Sequence, residues 1–485
     1  MSVEIMTKRE QQMIRPEEAW REEREGKEPE QTGEEELREQ EEKIRYMTTA
    51  PVRRLVCRLA VPTIISMLIT SFYNMVDTFF VGRLNASATG AVGVVFSVMA
   101  FIQALGFFFG HGSGNYISRR LGAGEYEKAS VMAATGFVYA FLGGLIIAAG
   151  GLLCLRPLSL ILGSTPTILP YTMDYLRIIL FGAPFMTTSL VLNNQLRFQG
   201  SAAYAMVGIV TGAAVNIVLD PLFIFTLHMG VAGAALATVI SQIISFLLLV
   251  LQSRKGGNIV IRLKHFCPSF YYVKEIIRGG LPSLCRQGLA SVSVTFLNHA
   301  AGVYGDAAIA GMSIVSRITM FANSALIGFG QGFQPVCGMN YGAGKMKRVR
   351  EAFFFCVKYA TVFLLILSVG GFIAARGMVS LFVKGNPQVV EVGTLALRLQ
   401  ILAFPLGAWI VMCNMMLQSI GRAVRASIVA AGRQGLFFLP LILILPRFFG
   451  LTGVQMCQSI ADIGTLLLSL PLGIGVLNEM KRAEE

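Results

Sequence analysis

Residues 59–82 read LAVPTIISMLITSFYNMVDTFFVG, and runs of this kind recur along the whole chain. Crossing the ~30 Å hydrocarbon core takes roughly 20 helical residues at about 1.5 Å each, which this run supplies. Twelve such spans are read, at 59–82, 88–110, 131–153, 170–192, 202–225, 231–251, 277–301, 307–330, 353–375, 394–418, 424–446 and 451–476. In lipid every backbone polar group must bond within its own element, so runs of this length fold as helices. The expected class is therefore an all-α integral membrane protein. Composition agrees: 54% of residues are hydrophobic, 14% are charged and mean hydropathy is +0.62. A soluble domain carries nearer a quarter charged residues.

The net charge of +13 conceals two unlike pieces. Residues 1–45 hold 15 Glu and 9 Lys/Arg. They read as a solvated, partly helical cytoplasmic tail, assigned as residues 1–50. The rest of the chain holds 32 Lys/Arg against 13 Asp/Glu, and topology sorts them: 21 basic residues fall on one side, five on the other and six within spans. The positive-inside rule places both termini in the cytoplasm of a multi-pass cell-membrane protein. The basic excess is a topology signal, so no nucleic-acid partner is expected. The N-terminus lacks the pattern of a cleavable signal peptide, and the first span is expected to remain. Eight scattered cysteines with no CxxC pair argue against a disulfide or metal framework.

The chain also repeats itself. An offset of 220 pairs Pro62 with Pro282, Gly82 with Gly302, Gly110 with Gly330, Gly112 with Gly332, and Gly122-Ala123-Gly124 with Gly342-Ala343-Gly344. An offset of 221 continues with Arg177 and Arg398, Pro184 and Pro405, Asn193 and Asn414, Gly200 and Gly421. A repeat of six helices leaves both halves in one orientation, related by a pseudo-two-fold along the membrane normal. The expected domains are an N-lobe at 51–252, a basic linker at 253–276 and a C-lobe at 277–485.

Few carboxylates lie in the spans. Asp77, Asp220 and Asp462 are within them; Asp174, Asp306 and Glu391 are at their ends. An acid inside a membrane segment is costly and marks a functional site by default. Asp77 and Asp220 each stand 18 residues from the start of their span, which puts both at one depth. One turn back are Tyr73 and Asn216, on the same helix faces. Thr238, on the descending sixth span, reaches the level of Asn216. Two carboxylates, an amide, a hydroxyl and a phenol converging there would make an oxygen-rich site for a hard cation. The group equally suits proton carriage, since a carboxyl out of water beside another carboxyl can hold a proton. Capping of helix ends near the interface is the plainer alternative.

YNMVDTFFVG, RRLGAGE with its partner NYGAGK, and NIVLDPLFI together resemble the multidrug and toxic compound extrusion (MATE) family, in its DinF- and MepA-like bacterial branch. The resemblance covers nearly the whole chain beyond residue 50. It implies a twelve-helix exporter of two six-helix lobes that alternate in access, moving cationic or amphipathic drugs out as H⁺ or Na⁺ enters. It also implies a cation-coupling site at Tyr73, Asp77, Asn216, Asp220 and Thr238, of which Asp77, Asp220, Asn216 and Thr238 would hold the metal ion if Na⁺ couples. It implies a hinge at Pro62, whose missing N–H weakens the helix locally.

One departure stands out. Other branches carry an acid in the seventh helix, where this chain reads LPSLCRQGLASVSVTF, with Arg286 and Gln287. Arg286, Arg317 and Arg433 lie within C-lobe spans, and a structural role is expected ahead of a cavity-lining one. GHGSG and GAGK lack dinucleotide or Walker spacing, no HExxH or DxxDG pattern occurs, and the four His are isolated. No enzyme activity and no cofactor beyond the coupling ion are expected, and the chain is read as a monomer. A flippase for lipid-linked oligosaccharides is the alternative, although fourteen spans would be expected of it.

Overall fold

The computed structural model describes residues 31–84, 86–383 and 386–484, so residues 1–30 of the acidic tail and Lys384 lie outside it. The first half consists of α1 (Gln31–Thr49), α2 (Val52–Gly82), α3 (Ala86–Gly122), α4 (Tyr126–Leu153), α5 (Leu155–Ile161), α6 (Leu169–Phe198), α7 (Ala202–Pro221) and α8 (Gly230–Ser253). The second half consists of α9 (Phe270–Gly302), α10 (Asp306–Gly342), α11 (Met346–Ser380), α12 (Pro387–Leu402), α13 (Leu406–Ser419), α14 (Ala423–Ala431) and α15 (Phe438–Arg482).

Nine helices among the described residues are long and apolar enough to span a membrane, or ten when the bent pair α12–α13 counts as one. The 60-residue stretch Ala423–Arg482 turns at Gly450 (φ 58°) and supplies two spans. Helix α9 carries Arg286, Gln287 and several serines that lower its hydropathy, and it completes the twelve.

Local chemistry sets several boundaries. Ser269 caps α9 by accepting from the Tyr271 N–H, and Asn386 caps α12 by accepting from the Val389 N–H, with Pro387 in the first turn. Pro184 and Pro405 are repeat partners with different outcomes. Helix α6 runs through Pro184, while α12 and α13 meet at 58°. Around Pro184, the Thr187 hydroxyl lies within 3.1 Å of the Ala140, Ala183 and Pro184 carbonyls, and Thr188 donates to the Pro184 carbonyl. The corresponding Ala408 and Trp409 have no hydroxyl.

The halves meet chiefly through α3 on α9 and α2 on α10, two contacts that the repeat interchanges. Close approach requires glycine there. A Cβ on Gly112 would strike the Ile276 carbonyl, and one on its repeat partner Gly332 would strike Ala60. The bonds between halves run from mid-bundle, Ser71 to Ser324 (2.7 Å), to the end that carries the basic loops. Thr63 donates to the Gly328 carbonyl (2.6 Å), and Arg119 reaches the Ser419 carbonyl (3.1 Å) and Glu275 (3.3 Å). The bundle is therefore closed at its basic end.

Residues 31–49 are helical, with Leu37, Arg38, Glu39, Glu41 and Glu42 exposed as expected of a tail, but from Lys43 onward the helix docks on the bundle. Lys43 Nζ lies 2.6 Å from both Ser201 Oγ and Asn258 Oδ1, while Lys345 donates to the Thr48 carbonyl (2.9 Å) and Asn340 to the Met47 carbonyl (3.2 Å). Met47 is buried in the core, so α1 lies across both halves.

Candidate functional site

Helices α2, α6, α7 and α8 bring together a cluster of polar side chains within the apolar first half. Asp77 comes from α2 near its far end, and Tyr73 lies one turn earlier on the same face and is buried. Asp220 is the last residue of α7 before Pro221, after which the chain switches to a π-helical turn, Leu222–Thr226. Such turns recur at functional positions in helices. Asn216, one turn back, donates from Nδ2 to Asp220 Oδ1 (3.2 Å). Asn216, Asp220 and Thr238 are all 2% exposed or less.

Asp220 is close enough to feel the charge of Asp77, and Tyr73 feels both carboxyls. All five predicted residues are thus brought together. Four of their buried oxygens lack a partner: Asp77 Oδ1, Asp220 Oδ2, Asn216 Oδ1 and Thr238 Oγ1. Buried polar atoms normally find partners, and each orphan costs about 1–3 kcal/mol. Four orphans at one place form a set of donor oxygens aimed inward, chemically matched to a hard cation or a proton. Among the described residues no three His, Cys, Asp or Glu cluster as a transition-metal site would need.

A sixth residue was missed in the sequence. Tyr175 of α6 is fully buried; its hydroxyl contacts Met99 Sδ at 3.9 Å and lies near enough to feel Asp77 and Asp220. It stands six residues into a descending helix, so the depth count that selected Thr238 would also have found it.

The other candidates lie elsewhere. Pro62 is half-buried within α2, which is unbroken here. Arg433, in the π-helical turn Gly432–Phe437, holds Asp462 through both oxygens (Nε–Oδ1 2.7 Å, Nη2–Oδ2 3.2 Å), and Gln458 adds a third bond (2.9 Å). That pair ties α14–α15 together. Arg317 is exposed on α10. Arg286 of α9 reaches Asn414 Oδ1 (3.4 Å) and faces the first half.

The family model MatE matches the halves separately, at residues 62–222 and 282–444. The chain belongs to the MATE family. This MATE protein is 29% identical over 442 residues to Multidrug export protein MepA of Staphylococcus haemolyticus (strain JCSC1435), covering 91% of this chain and 97% of that protein. A solved outward-facing multidrug resistance MATE transporter of the MOP superfamily superposes with TM-score 0.85 at 28% identity, over 90% of this chain and 98% of that one. A MATE solved in complex with MaL6 gives TM-score 0.86 at 28% identity, over 90% and 99%.

Proposed function

We propose that the protein exports cationic and amphipathic organic compounds across the cell membrane, in exchange for H⁺ or Na⁺ entering. The four unpartnered oxygens of Asp77, Asp220, Asn216 and Thr238 carry this reading. A proton or Na⁺ supplies what they lack and relieves the repulsion between the carboxylates. The relatives' names, which speak of multidrug export, support the substrate class. With the basic loops in the cytoplasm, the closed end faces inward.

A ligand shifts this equilibrium only by its differential affinity for the two states. Cation and drug therefore favour different states, and a cationic drug is drawn to the carboxylates when they are ionised. Cation binding reorganises the bonds around Tyr73 and Asn216 and bends α2 at Pro62, releasing drug outward. The test is ethidium efflux from proteoliposomes under separately imposed pH and Na⁺ gradients. Movement that follows one gradient and is lost in Asp77→Asn supports the exchange. Movement indifferent to both gradients, or intact in the variant, rejects it.

A further inference from the structure

A second polar cluster, on the opposite side of the charge scale, lies where α3, α6 and α9 converge. Arg197 is 2% exposed. Its Nη2 contacts His111 Nε2 (3.3 Å) and donates to Asn194 Oδ1 (2.5 Å), while its Nε is buried with no partner. His111 is fully buried, with Nδ1 at 3.0 Å from the Phe107 carbonyl; donation there leaves Nε2 as an acceptor for the arginine. Arg286 comes from the other half, is near enough for its charge to reach both His111 and Arg197, and has only the neutral Asn414 as a side-chain partner. Among the described residues no carboxylate pairs with either guanidinium.

Two arginines within the bundle without a counter-charge are costly, because a desolvated charge needs either a partner or water. The repeat shows that packing does not require them. The counterparts of His111 and Arg197 are Gln331 and Gln418, and that of Arg286 is Ser66. Gln418 satisfies the equivalent place with neutral bonds to Ser283 Oγ (2.8 Å) and the Gly279 carbonyl (2.8 Å). Three positions are thus basic in one half only, and they converge between the halves.

We infer that His111, Arg197 and Arg286 form an anion site, with Arg286 as the contacting group and Arg197 behind it, for a carboxylate, sulfonate or phosphate on an amphipathic molecule. Guanidinium groups suit such planar or tetrahedral oxyanions. Zwitterionic and anionic amphiphiles would be held here, while a purely cationic dye would be repelled toward Asp77 and Asp220. The exporter reading is needed only for the transport consequence; binding stands on its own.

The experiment is an anisotropy titration of 5-carboxyfluorescein with purified protein in nanodiscs of phosphatidylcholine. The expected result is saturable binding, competed by inorganic sulfate, weakened about tenfold or more by Arg286→Gln and much less by Arg286→Lys. Arg197→Gln, which copies the second half's own residue, should weaken it as well. Loss of dye binding in discs containing phosphatidylglycerol, with the same dependence on Arg286, identifies a lipid phosphate as the source and still supports the site. Absent binding in neutral discs, or binding indifferent to both substitutions, overturns it. Ethidium efflux separates the two readings: lost anion binding with intact efflux in Arg286→Gln leaves the exporter standing, and Arg286-dependent anion binding by a wild type that moves no ethidium under either gradient leaves the anion site alone.

Discussion

The halves of this molecule share a plan and differ in what they do with buried charge. The second half pairs its carboxylate: Asp462 is held by Arg433 and Gln458. The first half leaves Asp77 and Asp220 without a basic partner, and the repeat places Leu297 and Leu441 opposite them. Conversely, Arg433 corresponds to Gly212, and Asp462 to Gln242 by the offset that pairs Gly230 with Gly450, both at φ 58°. A paired acid holds helices together; on the proposed exchange, an unpaired one is where the cation binds. The same scaffold supports both, so a membrane acid's role is read from its partners rather than its presence.

The largest expected effect follows from removing an unpaired acid. Asp220→Asn or Asp77→Asn should lower gradient-driven efflux at least about tenfold, with thermal stability unchanged or raised, because an orphaned buried carboxyl costs about 1–3 kcal/mol. Efflux assays and thermal unfolding of the same samples check both parts. Asp462→Asn should do the opposite. Stranding Arg433 costs about 3–5 kcal/mol, whereas joint replacement by Leu and Met is near neutral, and the choice of driving ion stays as in the parent. If Asp462→Asn changed which gradient drives efflux, the division between halves would fail.

A smaller effect belongs to the seam between halves. Gly332→Val should cost the closed arrangement about 1–3 kcal/mol through its clash with Ala60, with less effect on either half alone. Distances between spin labels across the basic end should lengthen.

The smallest effect is at α1. Burial lowers the Lys43 ammonium to about 7, against a weaker opposing pull from Glu39. The undocked helix then binds more protons between pH 7 and the free lysine value near 10.4. Docking should strengthen as pH rises across that window and change no further below 7. Lys43→Met should flatten the response, read as a label distance from α1 to the 254–258 loop.

Sequence made legible what depth and periodicity encode. Twelve spans, the repeat, and the five residues around Asp77 all follow from counting along helices. Tyr175 escaped because its place in α6 carries no signal unless its depth is counted from the descending end. The π-turns after Asp220 and around Arg433 leave no spacing signal, since they shift one hydrogen-bond register without altering composition. The bend at residues 403–405 had a proline in common with an unbroken helix, and the deciding hydroxyls of Thr187 and Thr188 lie three and four residues past their proline. The packing of α1 was hidden by its Glu residues, of which Glu39, Glu41 and Glu42 are exposed while Lys43 and Met47 face the bundle. The basic cluster was split across three helices, so neither His111 nor Arg197 stood out as a motif.

On the proposed exchange, drug and cation compete for the unpartnered oxygens of the first half. Proton release on drug binding, measured in weakly buffered detergent solution for wild type, Asp77→Asn and Asp220→Asn, tests it most directly. With Na⁺ absent, the account predicts about one proton released per drug bound by the wild type, fewer when Na⁺ already occupies the site, and none from either variant. Release that persists unchanged in both variants would contradict it.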